Sequence, residues 1–149
     1  MAEKMTKAQF THIALQVSDS TKMAEFLSKY CNLTVTSKRP GMGGQVYWVA
    51  SCEEKGVVFV ILPRGEDRIP DWRKDLTHIG FAVESKEMVD KIAEMAKEDH
   101  ILEFGPKMLP PPTNYIALVR SPGGQIFEFS YGQDYDVDPV EQASTIEKK

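Results

Sequence analysis

The sequence contains one short pattern twice, first as Phe10-Thr-His-Ile-Ala-Leu-Gln-Val17 and again as Leu76-Thr-His-Ile-Gly-Phe-Ala-Val83. The central Thr-His-Ile is identical in the two copies, and the flanking apolar positions agree. A helix-like segment follows each copy, over about residues 20–30 and 85–98, and each helix is followed by strand-like runs. Both halves therefore read β-α-β-β-β, which predicts an α+β fold made of two similar repeats.

The repeat also predicts the domain boundaries and the elements. We expect a single domain over residues 9–132, with a first repeat at about 9–62, a joint at 63–74 and a second repeat at about 75–132. Residues 1–8 are an N-terminal extension, and residues 133–149 form an acidic tail that we expect to be mobile. The later strands are predicted at 33–37, 45–50, 57–62, 101–104, 115–120 and 125–131, and Ser20 and Ser85 are predicted helix N-caps. Pairing of the halves would close a curved eight-stranded mixed sheet around a concave interior.

The composition is that of an ordinary globular protein. The 149 residues are 42% hydrophobic and 27% charged, with a net charge of −4. The densest basic stretch, residues 64–74, also contains acidic residues, and this mixture predicts a solvated loop. We therefore expect no nucleic-acid or membrane partner, and we expect a small-molecule substrate. We find neither an apolar run near the ~20 residues that span a bilayer nor a secretory signal, and we expect a cytoplasmic protein. Cys31 and Cys52 lack CxxC spacing and are expected to be reduced structural thiols.

Three side chains are candidate metal ligands. Strand alternation places His12 and His78 on the face opposite the apolar side chains of their strands, at the same position of the two repeats. Glu128 lies mid-strand and opposite an aromatic face, where a carboxylate is costly unless it is paired or binds a cation. The alternatives are hydrogen-bonded core histidines and a salt bridge from Glu128 to a Lys or Arg. His100 follows a helix end and is expected to be a surface or capping residue.

The repeat alignment places Phe59 at the position that matches Glu128. Because Phe cannot ligate, the predicted site has three protein ligands and open positions, which is typical of catalytic rather than structural sites. Such a site can bind one divalent ion (Fe, Mn, Ni, Co or Zn) and act as a Lewis acid on substrate oxygens. Candidate substrate contacts are Gln16, Tyr47, Phe59 and Lys107, the last of which lies in a predicted proline-rich loop over residues 105–112.

Four segments of the sequence resemble the vicinal oxygen chelate superfamily. They are the two copies of the Thr-His-Ile pattern, Ala24-Glu-Phe-Leu-Ser-Lys-Tyr-Cys-Asn-Leu33 and Arg120-Ser-Pro-Gly-Gly-Gln-Ile-Phe-Glu-Phe129. The last segment is similar to the signature D-P-D-G-x-x-x-E-[FIL], with Ser121 and Gly123 in place of the acids. The resemblance covers about residues 8–132. It implies paired βαβββ modules, a metal held by His12, His78 and Glu128, and a homodimer, which many members of this length form.

The resemblance implies a divalent-metal-dependent enzyme that acts on a small substrate with vicinal oxygens, as a glyoxalase-like lyase or isomerase with Glu128 as a catalytic residue. One alternative is a non-haem Fe(II) extradiol-type dioxygenase, and another is a metal-free small-molecule binding or resistance protein. Glyoxalase I carries a Glu and methylmalonyl-CoA epimerase a Gln where this chain has Phe59. Extradiol dioxygenases and fosfomycin enzymes share the His-His-Glu triad but carry a Tyr where this chain has Leu118.

Overall fold

The computed structural model describes residues 8–53 and 58–133, and the chain divides into two compact units. The first unit comprises residues up to 77 together with 120–126, and the second comprises residues 78–119 and those from 127 onward. The predicted extension up to residue 7, residue 57 of the predicted fourth strand and the tail from residue 134 lie outside the described residues.

The first unit contains a four-stranded sheet and one helix. Its elements are β1 (His12–Gln16), α1 (Ser20–Cys31), β2 (Thr34–Gly41), β3 (Gly44–Ala50) and β4 (Val58–Leu62). The strand order is β1-β4-β3-β2, in which β1 is parallel to β4 and the other pairs are antiparallel. A bulge interrupts the β2–β3 pairing between Val35 and Ser37. Helix α1 contacts β3 and β4 and buries an apolar face that includes Met23 and Leu27.

The second unit repeats this plan. Its elements are β5 (His78–Ala82), α2 (Lys86–Glu98), β6 (Leu102–Met108), β7 (Tyr115–Arg120) and β8 (Ile126–Tyr131), with the strand order β5-β8-β7-β6. Only the terminal residues Arg120 of β7 and Ile126 of β8 group with the first unit. Val89 and Ala93 of α2 pack in one cluster with Tyr115 and Ala117 of β7. All eight predicted strands are present, in two four-stranded mixed sheets with one helix each, which confirms the α+β class and the repeat.

The helix N-termini confirm one predicted cap and correct the other. Ser85 is the N-cap of α2, and its hydroxyl accepts from the Met88 N–H at 3.1 Å. The cap of α1 is Asp19 rather than Ser20. Both residue types cap well, and the Ser20 hydroxyl instead donates to the Gln45 carbonyl at 2.6 Å, which ties α1 to β3.

Strand β6 is longer than predicted, and Lys107 lies on it rather than in a loop. Lys107 pairs with Ile116 of β7 beyond register shifts at Phe104. Gly105 adopts φ +86, and a Cβ there would lie 2.5 Å from the Ile116 carbonyl oxygen. A glycine is therefore required for the irregularity that lets the strand continue through Pro106.

Within residues 8–53 and 58–133, neither α1 nor α2 has the length and apolar character that a membrane crossing requires.

Candidate metal centre

His78 and Glu128 face each other in the second unit. β5 and β8 are neighbouring strands, with His78 at the start of β5 and Glu128 in the middle of β8. The Phe81 ring stacks against Phe127 and Phe129, each at 6.1 Å, which places the three aromatic rings on one face. By alternation, the His78 and Glu128 side chains share the opposite face, and His78 Nε2 lies 3.3 Å from Glu128 Oε2.

Glu128 is held in place by a side chain that the sequence did not single out. Its side chain is buried, with the residue 8% exposed, and its Oε1 accepts a hydrogen bond from Gln133 Nε2 at 2.8 Å. Gln133 follows Gly132, whose φ of +86 turns the chain at the end of β8. The only sequence signal was that Gln133 directly follows Gly132 after the last strand, at the start of the segment predicted to be the tail. Glu128 thus pairs with an imidazole and an amide rather than with a Lys or Arg.

The separation of the two side chains fits ligation of one ion. A metal at about 2.1 Å from each donor atom separates its two ligands by about 3.0 Å at an octahedral angle and about 3.4 Å at a tetrahedral one. The observed 3.3 Å lies between these values. The donor chemistry, one imidazole nitrogen and one carboxylate oxygen, suits a divalent transition metal.

His12 occupies the corresponding position in the first unit. It is the first residue of β1, is exposed, and its Nδ1 lies 2.8 Å from the Thr11 hydroxyl oxygen. A hydrogen bond at Nδ1 leaves Nε2 as the nitrogen that can bind a metal. Among the described residues, no three His, Cys, Asp or Glu side chains form a group that could hold a metal. The structure brings together His78 and Glu128, and the three-ligand site stays a prediction. His100 is exposed just after α2, as expected.

Hydrogen bonding at the strand ends corrects the predicted alignment of the repeats. The Val17 N–H donates to the Leu62 carbonyl at 3.0 Å, and the Val83 N–H donates to the Ser130 carbonyl at 2.8 Å. Since Val17 and Val83 are equivalent, Leu62 matches Ser130, and the counterpart of Glu128 two residues earlier is Val60 rather than Phe59. Valine cannot ligate either, so the first unit still supplies no matching carboxylate.

The candidate substrate contacts fall in different places. Phe59 is 1% exposed and pairs with Ile13, and Tyr47 pairs with Ile61, so both lie on the face of the first sheet opposite His12. The Tyr47 hydroxyl lies 2.9 Å from that of Thr21 on α1. We therefore do not place these two side chains in the proposed centre.

Lys107 and Gln16 are both exposed. Lys107 projects from β6 with its Nζ 6.0 Å from the Phe104 ring centroid. Gln16 shares the His12 face of β1 and lines a cavity of about 490 Å³. The other residues that line this cavity are Arg64, Gly65, Glu66, Arg68 and Gln125, all within the first unit.

Two side chains outside the proposed metal centre have raised pKa values. Burial raises the pKa of the Cys31 thiol well above its ordinary value, as fits the structural thiol that we predicted. The Tyr115 hydroxyl donates to Asp90, and this hydrogen bond is the largest cause that raises the pKa of Tyr115 to about 12. Both groups are therefore held in their neutral, protonated form at pH 7.

Comparison with known proteins identifies the family of this chain. The sequence model of the Glyoxalase/Bleomycin resistance protein/Dioxygenase superfamily matches residues 9–129. The protein PA2024 of Pseudomonas aeruginosa is 38% identical over 124 residues, which are 83% of this chain and 88% of that protein. The structure of a possible glyoxalase from Bacillus cereus matches with a TM-score of 0.63 and 30% identity, covering 83% of this chain and 98% of that one.

A more distant structure shares the fold. It is a mutant of the fosfomycin resistance protein FosX from Listeria monocytogenes, complexed with Mn(II) and 1S,2S-dihydroxypropylphosphonic acid. It matches with a TM-score of 0.65 and 19% identity, covering 89% of this chain and 94% of that one.

Proposed function

Because the chain belongs to the Glyoxalase/Bleomycin resistance protein/Dioxygenase superfamily, we propose that it is a divalent-metal-dependent enzyme acting on a small substrate with vicinal oxygens, as a glyoxalase-like lyase or isomerase. The observation that carries the proposal is the 3.3 Å approach of His78 Nε2 to a buried Glu128 carboxylate. The Mn(II) bound by the FosX structure of the same fold is consistent with it.

In this proposal His12, His78 and Glu128 hold the ion, and Gln133 fixes the carboxylate of Glu128 through its 2.8 Å hydrogen bond. When bound, the ion supplies Lewis-acid polarisation of two neighbouring substrate oxygens. Glu128 is the catalytic carboxylate, since it touches the reacting centre. Next to His78 on the same face, a Cβ added at Gly80 would meet no atom of the described residues within 4 Å. This position leaves room for a substrate beside the ligands.

The proposed ligands come from both repeats, and we propose a homodimer as the active form. His12 lies in a first unit, whereas His78 and Glu128 lie in a second unit, so one centre needs one unit of each kind. The two units can belong to one chain or to two. Refolding a mixture of His12→Ala and Glu128→Ala chains distinguishes these cases. Metal binding near a quarter to a half of the wild-type level indicates ligands from two chains, and none indicates ligands from one. A monomeric wild-type protein in analytical ultracentrifugation would refute the homodimer.

Metal content tests the proposal directly. The protein, purified without chelator, is analysed for Fe, Mn, Ni, Co and Zn beside His78→Ala, Glu128→Ala and the matched control His100→Ala. We expect about one ion per chain in the wild type and in the control, and its loss in the other two variants. Nickel, zinc, cobalt or manganese supports the lyase or isomerase, to be followed by assays for these reactions.

Two results would replace this proposal with one of the alternatives. The extradiol-type dioxygenase would be favoured if the wild type contained iron, if His78→Ala and Glu128→Ala lost it, and if the wild type consumed oxygen with catechols. If the wild type bound none of the five metals when they were added in excess, the enzyme proposal would fail, and a small-molecule binding protein would take its place.

A further inference from the structure

The loop after β4 is fixed against the end of β1. The Val17 N–H donates to the Leu62 carbonyl at 3.0 Å, and the Gly65 N–H donates back to the Val17 carbonyl at 3.0 Å. A Cβ at Gly65 would lie 2.7 Å from the carbonyl carbon of Gln16. Glycine is therefore required for this close approach, which places the loop beside Gln16.

A second attachment holds the same loop two residues later. The backbone N–H and the hydroxyl of Ser18 donate to the two carboxylate oxygens of Asp67, at 3.0 and 2.5 Å. These hydrogen bonds, the side-chain one first, lower the pKa of Asp67. Its carboxylate is thus ionised and oriented toward Ser18, and it does not line the neighbouring cavity.

The far end of the loop is held by the turn that precedes β8. A Cβ at Gly124 would lie only 1.9 Å from the Arg68 carbonyl oxygen. The Arg120 guanidinium donates to the Gly124 carbonyl at 2.9 Å and to the Pro70 carbonyl at 2.8 Å. The backbone of residues 64–70 is therefore attached at both ends.

Arg64 has an unusual backbone conformation within this frame. Its φ is +73, a left-handed value that L residues other than Asn and Asp rarely adopt. Its guanidinium donates to the Met42 sulfur, a weak acceptor that an oxyanion can readily replace. Strained residues of this kind concentrate at binding sites.

The groups that line the cavity suit an anion. The charged residues that line it are Arg64, Glu66 and Arg68, whose charges sum to one net positive charge. The Gln125 Oε1 accepts from the Ser121 hydroxyl at 2.7 Å, so the amide NH₂ group is left to donate to a ligand. Guanidinium and amide donors match the geometry of a carboxylate or phosphate-type group.

We propose that this cavity binds an oxyanion of the substrate, a carboxylate or a phosphate-type group. The inference rests on the proposed function, because it assigns a substrate class to that same centre. Gln16 shares the face of β1 with His12 and lies four residues further along, a distance of about 13 Å. The substrate is therefore an elongated acid, with vicinal oxygens at one end and the anionic group at the other, rather than a two- or three-carbon compound.

The test is an NMR titration of the ¹⁵N-labelled protein with inorganic phosphate and, separately, with acetate, at constant ionic strength. The backbone amide of Gly65 and the side-chain amides of Gln16 and Gln125 report on the cavity. Arg68→Gln removes one proposed ligand, and Glu66→Gln removes the opposing charge. Arg39→Gln, at an exposed position of β2 outside the cavity, is the matched control.

We expect saturable shifts at the three reporters with at least one of the two anions, and the anion that binds more tightly identifies the chemistry of the substrate group. Arg68→Gln should weaken binding at least fivefold, Glu66→Gln should tighten it about threefold, and Arg39→Gln should match the wild type. Absence of saturable shifts with both anions, or equal affinities of Arg68→Gln and Arg39→Gln, would overturn the inference.

Repeating the titration with Glu128→Ala separates this inference from the proposed function. Binding that depends on Arg68 and persists in this variant confirms an anion site that is independent of the metal. If the wild type bound a metal but neither anion, the inference alone would fail. If it bound an anion through Arg68 but no metal, the anion site would stand and the enzyme proposal would fall.

Discussion

Replacing Gln133 by Ala should weaken metal binding without removing any proposed ligand. Gln133 Nε2 donates to Oε1 of Glu128 at 2.8 Å, whereas Oε2 of the same carboxylate faces His78. Because Glu128 is 8% exposed, water has little access to replace the lost donor. Loss of a partner that orients a metal ligand lowers metal affinity by about 10- to 100-fold, which is about 1.4 to 2.7 kcal/mol.

The dissociation constant can be measured by competition with a colorimetric chelator for Zn(II) and for Mn(II). Gln45→Ala, which removes a half-buried glutamine side chain from β3 in the first unit, is the matched control and should bind metal as the wild type does. Urea unfolding of the metal-free proteins measures the structural effect separately, and a lost hydrogen bond to a charged group is expected to cost about 1.5 to 3 kcal/mol. If Gln133→Ala bound metal within twofold of the wild type while Glu128→Ala did not bind it, the positioning role of Gln133 would be refuted.

Two further predictions concern the first unit. Because hydrogen bonds from Ser18 hold the pKa of Asp67 below its ordinary value, the stability that this carboxylate contributes is present above its unfolded pKa and is lost as the pH falls through the lower folded value. Asp67→Asn should therefore reduce the free energy of unfolding at pH 7 by less than about 1 kcal/mol, because solvent screens this exposed carboxylate. The deficit should shrink at pH 3, and an equal deficit at both pH values in urea unfolding would contradict this account. Burial raises the pKa of Cys31, whereas Cys52 is exposed, so iodoacetamide at pH 8 should label Cys52 in the folded protein and should label Cys31 only after denaturation, as mass spectrometry of the peptides would show. Rapid labelling of Cys31 in the folded protein would contradict its burial.

The repeat was predictable because identical Thr-His-Ile segments mark the same strand in both halves. Alternation within the strands was also sufficient to place His78 and Glu128 on one face, as their 3.3 Å approach confirms. The residue-by-residue alignment of the two repeats was not predictable. Phe59 and Val60 both lie in a continuous apolar run, in which a shift by one residue leaves the pattern unchanged. Only the hydrogen bonds at the strand ends distinguish them.

Other features depended on tertiary contacts that the sequence does not display. The signals around Gly105 and Pro106 are those of a loop, yet pairing with β7 keeps the segment in a strand. Arg64 and Arg68 occur among acidic residues and read as a solvated stretch. Their common cavity exists because Asp67 is engaged by Ser18 and because glycines allow close contacts on both sides of the loop.

The four edge strands of the two sheets differ in how well their sequences resist pairing with strands of other chains. The outer strands β2 and β6 each combine an irregular register with a proline and at least one lysine, features that block edge-to-edge aggregation. The opposite edges, β1 and β5, read HIALQ and HIGFA and contain no proline or lysine. The strands that carry the two histidines thus lack these protective features in their own sequences. A charge introduced at Ala14 or Gly80 is therefore expected to reduce pairing of these strands with a strand of another chain, and it would lie on the same face as the proposed metal ligands.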